Sequence, residues 1–100
     1  MGADTLRPDI VSTLVDVTHE LVDFALDRND LRLARWATAQ GLLAAPDSET
    51  LLTDRLRTEN QAGNRTDVQR LAGRISANAR ALGVDLLDET QEVLRATARL

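Results

Sequence analysis

Five stretches of this chain repeat apolar residues every three or four positions, and only short turn-forming breaks separate them. A helix needs that period to keep its apolar side on one face, whereas a strand needs a period of two. The first helix is expected over roughly Asp9–Asp27. There Ile10, Leu14, Val17, Leu21 and Ala25 form a stripe that Val11, Val15, Val22 and Leu26 widen. Pro8 suits a helix start. Arg28-Asn29-Asp30 breaks the pattern, and Asp30 can cap the next helix.

The second helix is expected over Leu31–Ala44, with small inner residues Ala34, Ala37 and Gly41, and Pro46 stops it. The third begins after Asp47 or Ser48, uses Leu51, Leu52 and Leu56 as its apolar side, and ends near Ala62 before Gly63-Asn64. For the fourth, Thr66 and Gln69 make a capping-box pattern. Val68, Leu71, Ala72, Ile75, Ala79 and Leu82 share its inner face, and Gly83 ends it. The fifth opens at Asp88, after an extended connector Val84-Asp85-Leu86-Leu87, with Val93, Leu94 and Ala98 inward. Loops this short make consecutive helices antiparallel neighbours.

Composition agrees with helix and narrows function. The apolar 43% is mostly Ala, Leu and Val, and Phe24 and Trp36 are the only aromatics. No cysteine is present, which removes disulfides, thiol catalysis and cysteine–zinc sites. The net charge is −4, with four Arg against nine acids in residues 1–50 and eight Arg against seven acids in 51–100. An acidic chain repels phosphate backbones, so direct nucleic-acid binding by this segment is not expected. Neither a membrane-length apolar run nor a signal-peptide core occurs, so no membrane contact and a cytoplasmic location are expected. Ser12, Ser48 and Ser76 have no histidine at motif distance, and there is no glycine-rich phosphate loop. The chain reads as a non-enzyme without cofactor or metal.

The approach to the second helix, Asn29 to Ala34, matches the approach to the fourth, Gly63 to Val68, at an offset of 34 residues. That is the tetratricopeptide period. The expected fold is thus a five-helix tetratricopeptide-like stack of antiparallel helical hairpins. In that register Asp16, His19 and Asp23 line the concave face of the first hairpin, and Thr53, Arg57 and Asn60 that of the second. Concave faces of helical repeats bind ligands, so alanine at Asp23 or Arg57 is expected to weaken partner binding without lowering the melting temperature. A metal held by Asp16, His19, Glu20 and Asp23 is the weaker reading of the same cluster, because a solvated acidic face explains it without a zinc motif. Arg70 and Arg74, one turn apart, read as a solvated outer face. Trp36 reads equally as a core residue or as an interface anchor.

The ordered set of Val15-Asp16-Val17-Thr18-His19-Glu20-Leu21, Ala34-Arg35-Trp36-Ala37-Thr38-Ala39-Gln40-Gly41-Leu42-Leu43, Pro46-Asp47-Ser48-Glu49 and Leu82-Gly83-Val84-Asp85-Leu86-Leu87-Asp88-Glu89-Thr90 resembles the bacterial transcriptional activator domain of actinobacterial regulators. The resemblance implies a tetratricopeptide-like domain over residues 9–100 behind a disordered leader, residues 1–8. It also implies a protein-interaction and oligomerisation module of a transcription regulator, without a DNA-binding domain of its own. The implied partners are an adjacent winged-helix domain, other proteins or a second copy. The alternative is a structural interaction module at the C-terminus of a membrane-anchored LysM-type protein with no promoter target. The chain departs from the family in having Leu86-Leu87-Asp88 where Pro-Ser-Pro often precedes the last helix.

Overall fold

The computed structural model describes residues 7–98 and is all-helical. The five helices are α1 (Pro8–Asp27), α2 (Leu31–Ala44), α3 (Glu49–Ala62), α4 (Arg65–Leu82) and α5 (Asp88–Ala98). The leader expected over residues 1–8 lies outside the described residues, except that Arg7 caps α1 and Pro8 is its first residue.

Local chemistry sets most of the boundaries. Asp30 Oδ1 accepts from Leu33 N–H at 3.1 Å and caps α2. Ser48 Oγ accepts from Leu51 N–H at 3.3 Å and caps α3. Left-handed residues end α3 and α4 at Gly63 (φ 83°) and Gly83 (φ 68°). Asn29 does the same after α1 with φ 55°, a conformation that Asn tolerates better than most residues. The expected capping box is not formed. Helix α4 starts one residue before Thr66, and its N-cap Asn64 makes no side-chain cap bond. The Asn64 amide donates instead to Glu59 Oε1 at 2.5 Å. A tertiary bond has taken the residue that local pattern would have left free.

The helices form two rows. Helices α1, α3 and α5 lie side by side, with α3 in the middle; α2 and α4 form the second row, and α2 packs into the angle between α1 and α3. The 34-residue offset is physical: α2 and α4 start 34 residues apart, at Leu31 and Arg65. Ala34 and Val68 are buried at equivalent points, as are Ala37 and Leu71. Two apolar clusters result. One joins Val22, Ala25 and Leu26 of α1 to Ala34 and Ala37 of α2. The other joins Leu52 and Leu56 of α3 to Val68, Leu71 and Ile75 of α4, with Leu86, Val93 and Leu94 closing it.

Five expected inner positions are outside. Ile10, Leu14 and Val17 of α1 are exposed, Val17 by 57%, while Val22, Ala25 and Leu26 carry the burial. Among the described residues, α1 packs against α2 and α3. Its 20 residues also outrun the 14 of α2, leaving about 9 Å of helix overhanging. Leu82 is 72% exposed, since it is the last residue of α4. Ala98, at the end of α5, is exposed too.

Helix α3 is the most enclosed element, and it is polar. Besides Leu51, Leu52 and Leu56 it buries Thr53, Asp54, Thr58 and Glu59. Glu59, with its side chain 2% exposed, accepts from Arg35 Nε and Nη2 at 2.9 and 3.0 Å and from Arg55 Nε at 2.9 Å. The two Arg35 bonds are bidentate and charge-assisted. They and the Asn64 and Arg55 bonds outweigh burial and hold the Glu59 carboxyl down to about 2. Its folded value lies below its unfolded one, so the stabilisation is complete above about pH 4.5 and disappears as pH falls towards 2. Urea titrations from pH 5 down should show that loss, and Glu59→Gln should flatten this part of the curve. An unchanged slope in the variant would disprove the assignment.

Glycine use gives a second test. A Cβ at Gly41 would sit 2.7 Å from Leu51 Cδ1 and 3.0 Å from Thr18 Cγ2, where α1, α2 and α3 meet. At Gly73, in the exposed middle of α4, it would meet nothing within 4 Å. Gly73→Ala should therefore raise the melting temperature by the helix-propensity gain, about 1 kcal/mol or several degrees. Gly41→Ala should lower it, because overpacking costs about 1–3 kcal/mol. Equal shifts in calorimetry would refute the close approach at Gly41.

Candidate functional site

Four of the seven residues expected to bind partners converge where α1, α3 and α5 meet. His19 and Asp23 come from successive turns of α1, Thr53 and Arg57 from successive turns of α3. His19 Nδ1 lies 2.8 Å from Asp54 Oδ2. Its Nε2 faces Asp23 Oδ2 at 3.6 Å and Glu89 Oε1 of α5 at 3.8 Å. Arg57 Nη1 donates to Asp23 Oδ1 at 2.7 Å and to Asp54 Oδ1 at 3.0 Å. The Thr53 and Thr90 hydroxyls are 3.2 Å apart and tie α3 to α5.

Asp54 is the centre of this cluster and is 1% exposed at its side chain. Burial raises its carboxyl above the ordinary aspartate value, and His19 and Arg57 counter that only in part. For His19, burial works against the charged ring, but the hydrogen bond and charge of Asp54 outweigh it, with Asp23 and Glu89 adding to the rise. Both shifts have one meaning: the cluster holds a proton to higher pH than separated groups would. Arg57 sits between Asp23 and Asp54, the place a cation would take, and its own charge is held by them. Among the described residues, no group of three or more His, Asp and Glu is arranged to hold a metal ion.

The remaining three expected residues are elsewhere. Asn60 lies one turn beyond Arg57 on α3. It lines a groove of about 310 Å³ between α1 and α5, with Leu26, Arg57, Val93 and Ala96 among its walls. The Asn60 Oδ1 is shielded from solvent and accepts no hydrogen bond among the described residues. Asp16 is exposed, one turn before His19. Trp36 is 58% exposed on α2, outside the groove, so it is not a core residue.

Sequence reading missed Asp54, Glu89 and Thr90. Asp54 sits between Leu52 and Leu56 in a segment whose polar residues looked solvated. The usable signal was its separation of 35 residues from His19, close to the repeat offset, which places equivalent turns of α1 and α3 side by side. The structure also alters the part assigned to Arg57. It neutralises a buried carboxylate within the fold, so alanine there strands Asp54 on His19 alone and costs stability. For Arg57→Ala the geometry therefore predicts a lowered melting temperature, in place of the unchanged one expected from sequence.

Comparison with family models, with curated proteins and with solved structures finds no match to this chain.

The folded pKa of His19 lies above its unfolded value, which fixes the sign of its linkage. Its stabilisation is fully present below about pH 6.5 and is lost as pH rises through the raised folded value. Chemical denaturation between pH 5.5 and 8.5 should show falling stability in the parent, and His19→Gln should remove that trend. A parent curve that rises over this range would contradict the assignment.

Proposed function

We propose that this chain is a non-catalytic protein–protein interaction module, working in the cytoplasm as part of a transcription regulator. The observation that carries the interaction reading is the outer side of the first hairpin. Ile10, Leu14, Val17 and Phe24 of α1 recur at four, three and seven residues and are all exposed. Leu21, in the same stripe, is half-buried against the first cluster. Trp36 and Leu43 add exposed apolar surface on α2. Monomeric proteins rarely leave such a stripe uncovered, and a helix with apolar residues at three and four is built to receive another helix. Exposed tryptophan is a frequent anchor of such contacts.

The regulatory context rests on the resemblance to bacterial transcriptional activator domains, whose work is done beside a winged-helix domain that reads DNA. A purely polar cluster at α1, α3 and α5 supports a binding rather than a chemical part. His19, the only histidine, has one nitrogen on Asp54 and the other facing two carboxylates, and Arg57 is neutralised. Neither is poised as a base or nucleophile. Among the described residues, no helix is long and apolar enough to cross a membrane.

A photo-cross-linking amino acid at Val17 or Trp36 tests the reading in the producing cell, with the same group at Gly73 as control. Discrete products should form from the first two positions only, and mass spectrometry should identify a winged-helix or other transcription protein. The same products from Gly73, or partners without any transcription protein, would overturn it.

A further inference from the structure

Helix α5 is the most lightly seated element of the fold. Among the described residues it packs principally against α3, and an open groove runs along each of its sides. One, of about 310 Å³, separates it from α1. The other, of about 430 Å³, lies between it and α4, with Val68, Ala72 and Leu94 among its walls. The residues it buries, Thr90 and Thr97, are polar, while Val93 and Leu94 lie half-buried against the second cluster. With 11 residues it is too short to keep its helix in water once it leaves that seat.

Few polar contacts hold α5 and its connector. The Thr90 and Thr53 hydroxyls are 3.2 Å apart, and Arg65 Nη1 donates to Thr97 O at 3.1 Å. Leu87 N–H donates to Glu49 Oε2 at 2.7 Å. The contact that reaches α1 is Glu89 Oε1 with His19 Nε2, at 3.8 Å. Of these contacts, that one depends on a proton exchanged near neutral pH.

Charged groups from three helices surround His19. They are Asp23 of its own helix, Asp54 and Arg57 of α3, and Glu89 of α5. Among the described residues, α2 and α4 place no charge in this cluster. With His19 protonated, three carboxylates face two cations. With His19 neutral they face Arg57 alone, which is already bonded to Asp23 and Asp54. Glu89 is then left beside two carboxylates without a cation of its own. That is repulsion where there was attraction, applied to the first turn of the element with the fewest other ties.

We infer that α5 is a proton-controlled cover: protonated His19 holds its first turn to α1, and loss of that proton releases α5 from α3 while the other four helices stay folded. Release opens the second apolar cluster on the side that Val93 and Leu94 close. The folded pKa of His19 is raised, so the hold is complete below about pH 6.5 and is lost as pH rises through the raised value. The opening is local and costs less than global unfolding, which separates it from the overall fall in stability with pH.

Hydrogen exchange of the whole chain, read by mass spectrometry near pH 6 and pH 8, tests this. Each rate is divided by the rate of the unstructured peptide at the same pH. Peptides from α5 should be less protected than those from α3 at both values. Their opening relative to α3 should grow roughly threefold from the lower pH to the higher, the size set by one partly exposed ion pair. Glu89→Gln should make the α5-to-α3 ratio independent of pH. Glu92→Gln removes the same charge from the same helix at a position paired with Arg95, and should behave as the parent does. The inference is overturned if α5 is as protected as α3, if the parent ratio does not change with pH, or if the two variants behave alike.

Discussion

Two buried carboxylates on the central helix set the terms for everything packed around it. Asp54 and Glu59 lie five residues apart on α3, each with its side chain no more than 2% exposed, and neither could stay there unpaired. Their partners come from different elements. Asp54 takes His19 of α1 and Arg57 of its own helix, which in turn holds Asp23 of α1. Glu59 takes Arg35 of α2, Arg55 of its own helix and Asn64 at the entrance to α4. Sliding α1 or α2 along α3 by one turn would strand a charge in the interior. Ion pairs of this kind add little net stability over a well-packed apolar alternative, but they penalise wrong registers heavily. In a core rich in alanine and poor in aromatics, apolar packing alone discriminates weakly between neighbouring registers, and the carboxylates supply that discrimination.

Much of the fold was readable because its signals are local. The α2 boundaries, Asp30 as its cap, Pro46 as its stop, and Gly63 and Gly83 as left-handed ends all follow from backbone chemistry within a few residues. The 34-residue offset was readable because each repeat must place a small or apolar residue at the same point of the inner row. What could not be read depends on neighbours. A polar residue is assigned to solvent unless its partner is known, so α3 looked like an ordinary amphipathic helix with three leucines. The Thr66 capping box was a sound local pattern, but Asn64 is bonded back to Glu59, and the helix begins two residues earlier than that box would start it. The stripe at Ile10, Leu14 and Val17 has the right period for burial. Periodicity tells that a face wants a partner, and it does not tell whether the chain supplies one.

The candidate site shows the same division. His19, Asp23, Thr53 and Arg57 were found together because equivalent turns of α1 and α3 come side by side in a repeat. Asp54 and Glu89 escaped because one looked solvated and the other sits on a helix whose approach depends on the connector before it. That connector is fixed by a bond no pattern announces: Leu87 N–H donates to Glu49 Oε2 at 2.7 Å, and Leu86 is drawn into the second cluster.

The two ends of the stack are not equivalent, and the difference has a functional direction. On α5 the outer side is polar, since Gln91, Glu92 and Arg95 are exposed and Val93 and Leu94 turn inward. Helix α1 differs, because Ile10, Leu14, Val17 and Phe24 of its stripe are exposed. The same helix carries Asp9, Asp16, Glu20, Asp23 and Asp27 about a quarter turn away. One helix thus presents an apolar seam and a charged edge side by side, the combination that gives an interface both area and orientation. An apolar seam alone would accept many helices in either direction. In the interaction reading proposed above, the acids of α1 disfavour acidic partners by repulsion, while the seam supplies the contact area.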